Sequence, residues 1–119
     1  MLIEYIRPGP RFPAAILHGE TAYLSGCVAR DLSGDLYHQT LDILRHLDEI
    51  LASCGSDKSH ILAITTYLRD VEEFEEHHRA WADWWDPARK PCRTVVGAKL
   101  FSPECRVEMT VMAARRHGP

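Results

Sequence analysis

The order of hydrophobic periods along the chain predicts an α+β fold, a two-layer sandwich with two helices on one face of a mixed β-sheet. Three observations carry it. Short apolar runs of strand length open the chain, and two stretches of helical period follow, separated by a β-branched run. Two more strand-like runs close it, and no internal repeat, linker or low-complexity segment interrupts the series.

The first run, Leu2 to Ile6, reads as a strand that ends at Arg7-Pro8-Gly9-Pro10, where prolines and a glycine point to a loop. Ala14 to His18 and Thr21 to Ser25 flank Gly19-Glu20, the pattern of a tight hairpin. The period then lengthens to about 3.6. Leu36, Thr40, Leu41, Leu44, Leu47, Ile50, Leu51 and Cys54 fall on one stripe, with Asp35 placed to cap the start and Gly55 to end it.

After the polar Ser56 to Ser59, the run Ile61 to Leu68 suits a strand with Leu62, Ile64, Thr66 and Leu68 on one face. A second helix is expected from Val71 to Trp85. Asp70 caps it, acidic residues fill its first turns, and Phe74, His78, Trp81 and Trp85 form an aromatic stripe. Pro87 and Pro91 end it. Cys92 to Leu100 and Arg106 to Ala114 are the closing strands, read as a hairpin, and the tail Arg115 to Pro119 is expected to fray. Helices on one side leave the other sheet face needing cover, with Tyr67, Val95 and Met109 or their neighbours as its apolar surface. Oligomerisation is the economical cover.

The chain has 119 residues, of which 45% are hydrophobic, so residues 1–119 form one domain able to build a core without disulfide or metal staples. Its 17 acidic residues against 14 Lys and Arg give a net charge of -3, which supplies no field for nucleic acid. No run reaches the roughly 20 apolar residues of a membrane span, and the N-terminus lacks a signal core, so a cytoplasmic setting is expected. The four cysteines stand singly, without zinc spacing, and read as free thiols.

No GxSxG, GxGxxG, HExxH, P-loop or EF-hand pattern occurs. Arg93 is the leading candidate, because a guanidinium opening an apolar strand must face water, an acid or a ligand, and its planar fork suits a carboxylate. Glu108 shares its strand face with Arg106, Thr110 and Met112, and covered by a second subunit it would be able to position a water. The sequence leaves open whether the two share a face. Glu73 and His77 have metal-ligand spacing, yet a solvated helix face is the plainer reading. Cys92 has no paired base, which argues against a nucleophilic role.

Taken in order, several elements resemble the YjgF/RidA family of enamine and imine deaminases, also called the L-PSP endoribonuclease family. They are Ala22 to Gly26, Gln39-Thr40, Gly55 to Leu62, Thr65 to Phe74, and Pro91-x-Arg93-Thr94 with Val107-Glu108-Met109. The middle and C-terminal parts are most similar to the YoaB-like branch. The resemblance implies a chorismate-mutase-like protomer in a homotrimer, with clefts between subunits. It implies that Arg93 grips a substrate carboxylate, that Glu108, fifteen positions on, holds the attacking water, and that Ser25 lines the cleft. Phe12 falls where the family has a tyrosine, His78 where it has an asparagine, and Val95 where a cysteine is common. No metal or cofactor is implied. The alternatives are a trimer that binds small carboxylates without turnover and, third, a ribonuclease or translation inhibitor.

Overall fold

The computed structural model describes residues 1–116. Its strands are β1 (Ile3–Pro8), β2 (Pro13–His18), β3 (Thr21–Leu24), β4 (Cys27–Val28), β5 (Ile61–Leu68), β6 (Cys92–Gly97) and β7 (Val107–Ala114). They form one sheet in the order β1-β2-β3-β7-β5-β6, with β4 also on β7. Only β5 and β6 run parallel; the remaining pairs are antiparallel. Helices α1 (Leu36–Ser53) and α2 (Phe74–Ala82) cover one face.

The caps form as expected. Asp35 accepts the His38 amide at 2.9 Å, and Gly55, at φ 71°, turns the chain so that the Ser56 amide reaches Leu51 O at 2.9 Å. Helix α1 buries Leu36, Ile43, Leu44, Leu47, Ile50 and Leu51 against Val107, Met109 and Val111 of β7. Gln39 and Thr40 are also fully buried. The Gln39 amide donates to Leu32 O, Gly34 O and Glu104 O and accepts from the Arg106 amide, so one side chain ties two loops to the helix.

Several expectations change. Strand β1 runs through the proline segment to Pro8, which pairs with Pro13. This is tolerated because β1 is an edge strand; its register with β2 is unbroken from Ile3 to Pro8, with Arg7 at φ 48°. The two-residue β4 has too short a pattern to be read from sequence. In β5 a register shift between Ile61 and Ala63 turns Leu62 outward, leaving Ile64, Thr66 and Leu68 inside. The second helix opens as a 3-10 turn over Val71–Glu73 and its α-helical part ends at Ala82, while Trp84 and Trp85 continue only as a turn on Trp81 O.

The closing strands are not a hairpin, because β5 lies between β6 and β7. Met109 and Val95 face the helices; the uncovered side instead carries the row Tyr5, Ile16, Tyr23, Met112, Ala63 and Cys92, with Tyr67 and Val96 nearby. Within the tail, Arg115 bonds Cys54 O and Gly19 O, and the Arg116 amide bonds Gly55 O. Residues 117–119 lie outside the described residues.

Replacing Gln39 by Leu leaves three carbonyls and one amide without their partner. Urea unfolding is expected to show a loss of about 3–5 kcal/mol, against a change within about 0.5 kcal/mol for an exposed position such as Glu75→Gln.

Candidate functional site

Strand alternation fixes where the site residues go. Arg93 pairs with Ile64 and shares its helix-facing side, whereas Glu108 pairs with Tyr67 on the uncovered side. The structure therefore places the two candidate residues on opposite faces of the sheet. Each has its own surroundings.

On the helix side, the Arg93 Nη1 group donates to His78 Nδ1 at 3.1 Å. Its guanidinium lies 4.6 Å from the Trp81 ring and 5.3 Å from that of Phe74. The stripe Phe74, His78 and Trp81, legible in the sequence as apolar packing, is thus the wall of a slot around one cation. Trp81 packs against Trp85 with the rings tilted by 34°, and Phe74 lies nearly parallel to His78. Burial lowers the Arg93 pKa, though a guanidinium keeps its charge. Among the described residues no carboxylate pairs with it, and its Nε and Nη2 are buried without a partner.

His77 corrects the solvated-face reading. It is fully buried, with Nδ1 3.0 Å from Thr40 Oγ1, so it joins α2 to α1. Burial first, then the charges of Arg93 and His78, bring its pKa down to about 4.

Ser25, Gly26 and Phe12 gather at the other half. Ser25 Oγ donates to Pro13 O at 2.7 Å. A β-carbon at Gly26 would collide with the Glu108 carboxylate, so glycine is what lets that side chain cross the gap between β3 and β4. Phe12, Ser25 and Gly26 also line a cavity of about 440 Å³ reaching Cys27, Arg30 and His46. The Cys27 thiol sits 3.4 Å from His46 Nδ1, a pair that sequence spacing did not reveal. It is no nucleophile. Burial pushes the thiol up to about 12 and is also the main cause lowering His46, so the proton stays on sulfur. Cys92 is a free thiol exposed on the uncovered face, opposite Ala63.

The protomer is thus a small α+β sandwich with an arginine slot on the helix side of the sheet and Glu108, beside Ser25 and Gly26, on the other. The chain belongs to the endoribonuclease L-PSP family, whose model matches residues 4–115. It is 37% identical over 107 residues to a RutC family protein of Haemophilus ducreyi, spanning 90% of this chain and 92% of that one. Against the RutC family protein YoaB of Escherichia coli it is 34% identical over 114 residues, spanning 96% and 99%. The crystal structure of NMB1025 from Neisseria meningitidis, a member of the YjgF protein family, matches with a TM-score of 0.96. Its sequence identity is 37%, and the match covers 99% of this chain and 98% of that one.

His77 makes stability depend on pH. Its folded pKa of about 4 lies below the ordinary 6.5, so the unfolded chain binds the extra proton; the stabilisation is full above pH 6.5 and is lost as pH falls toward 4. Thr40, Phe74, His78 and Arg93 face it. Chemical unfolding should show a fall of roughly 3 kcal/mol across that window, absent in His77→Gln. Asp57, held at about 2 by Ser59 and His60, acts only below 3.8.

Proposed function

We propose that the protein hydrolyses small 2-imino acids, or their enamine tautomers, to 2-oxo acids and ammonia, and that its site is completed between copies of the chain in a homotrimer. The single observation that carries this reading is the division of Arg93 and Glu108 between opposite sheet faces. One chain cannot bring both to one small molecule, whereas a second chain docked on the uncovered face can. The apolar row Tyr5, Ile16, Tyr23 and Met112 is available for such packing. Family membership supports three subunits and a cytoplasmic setting.

The chemistry asks little. Arg93 holds the substrate carboxylate through parallel N–H donors. Glu108 takes a proton from water as the oxygen attacks the imine carbon, giving a tetrahedral carbinolamine, and the proton passes to nitrogen. The hydroxyl proton then moves to the amino nitrogen as the C–N bond breaks and the C=O bond forms, so that ammonia leaves. Water is the only co-reactant.

A second reading, a trimer that binds small carboxylates without turnover, is favoured by two side chains in separate places. Phe12 brings no hydroxyl, and the His78 nitrogen facing Arg93 is already engaged. A ribonuclease activity finds less support, because the net charge of -3 provides no phosphate track.

Imines generated in place by an amino-acid oxidase, followed by loss of their absorbance, test the leading reading. Glu108→Gln should lower kcat by about 100-fold or more, and Arg93→Ala should raise KM by about tenfold or more. Equal rates in wild type and both variants would refute it. Saturable binding with no hydrolysis would select the second reading. Light scattering on a sizing column should give three times the protomer mass.

A further inference from the structure

The cavity of about 440 Å³ beside Phe12, Ser25 and Gly26 extends well beyond those three residues. It lies at the break where β3 leaves β7 at Tyr23 and β4 takes over at Cys27, and it reaches the C-terminal half of α1 at His46 and Ile50. Its depth is apolar: Cys27, Ala29 and Ile50 are almost wholly buried there. A volume of this size is in the range that holds a small organic molecule.

Three basic side chains border the cavity, and two of them have no charge to spare. Arg30 is paired with Asp42 at 3.4 Å and with Glu49 at 3.2 Å. His46 turns Nδ1 to the Cys27 thiol, which keeps its proton, so that nitrogen holds the lone pair and the ring is neutral; burial first, then Arg30, lowers its pKa. Arg7 differs from both. Its Nη2 donates to the hydroxyl of Ser53, the last residue of α1, at 3.0 Å, and a neutral hydroxyl cannot offset a guanidinium charge. No acid is among the residues that line the cavity. Arg7 also sits at φ 48°, a left-handed backbone uncommon for a residue with a side chain, and such strain concentrates where a ligand is clamped.

An uncompensated cation above an apolar hollow suits an amphipathic anion. The apolar body leaves water against Val28, Ala29 and Ile50, while one anionic head takes the free donors of the Arg7 fork. A cation would be repelled by Arg7. A small anion without a body would leave the hollow wet.

We propose that this cavity is a second binding site of the chain, for a monoanion with an apolar body, its head held by Arg7 and its body lying on Val28, Ala29 and Ile50. Arg7 stands on β1 and Arg93 on β6, the two ends of the strand order, so the site is separate from the arginine slot and does not rest on the hydrolytic reading.

Calorimetric titration of the full-length protein with hexanoate, acetate and hexanol tests this. Hexanoate should bind about tenfold or more tightly than acetate, which lacks the body, and than hexanol, which lacks the charge. Arg7→Ala, at an exposed position, should weaken hexanoate about tenfold or more with an unaltered circular dichroism spectrum. Ser53→Ala removes the neutral partner but not the charge and should stay within about threefold of wild type. Arg93→Ala and Glu108→Gln should each bind hexanoate within about twofold of wild type. Equal affinity for the three compounds, or unchanged hexanoate binding by Arg7→Ala, would overturn the proposal. Loss of hexanoate binding in Arg93→Ala would do so too, because it would put the ligand in the arginine slot. Absence of imine hydrolysis would sink only the catalytic reading and leave this site standing.

Discussion

The position of β5 between β6 and β7 is the constraint on which the rest of the molecule depends. Because β5 pairs with both, in parallel on one side and antiparallel on the other, the registers of Arg93 and Glu108 are set against the same strand. Their partners, Ile64 and Tyr67, are an odd number of residues apart. Period-two alternation then sends the side chains to opposite faces. Shifting either strand by one residue would bring both groups to one face, but it would also turn Val95 or the Val107, Met109 and Val111 row out of the core. Hydrophobic burial thereby enforces the separation of Arg93 and Glu108 onto opposite faces.

A line of polar groups runs through the helix layer and links folding to the site. Gln39 and Thr40 sit side by side on α1; the first holds the loops before α1 and before β7, and the second meets His77 of α2. One residue further, His78 meets Arg93 of β6. Adjacent residues on a helix point about 100° apart, so α2 faces α1 with one histidine and the sheet edge with the next. Each buried polar group left unpaired would cost of the order of 1–3 kcal/mol, which makes this line sensitive to small displacements of α2.

Much of this was legible in the sequence wherever a local rule decides. Asp35 and Gly55 bound α1 because capping geometry is local, and the Val107, Met109 and Val111 alternation places β7 correctly on its own. The failures are non-local. Nothing in the spacing of Arg93 and Glu108 says that an earlier strand inserts between them, and nothing in the stripe Phe74, His78 and Trp81 says that an arginine far along the chain fills its groove. His77 reads as solvent-facing because its neighbours are glutamates, until α1 is seen to cover it. Proline at β1 breaks a rule that holds for central strands and is relaxed at an edge. The family resemblance supplied the fold, which the matched structures bear out, and it named the candidate residues without showing their relative faces.

The left-handed backbone at Arg7 has one more consequence. Sheets with open margins tend to recruit further strands, the route to fibres and aggregates. Here one margin carries Arg7 at φ 48°, outside the extended range, and loses an amide hydrogen at Pro8. The opposite margin, β6, is six residues long, follows Pro91, and ends at Gly97 beneath Val71. Both margins are poor templates for lengthening the sheet. Growth by edge pairing is disfavoured, so the sheet as built is closed to lengthening at both ends of its strand order.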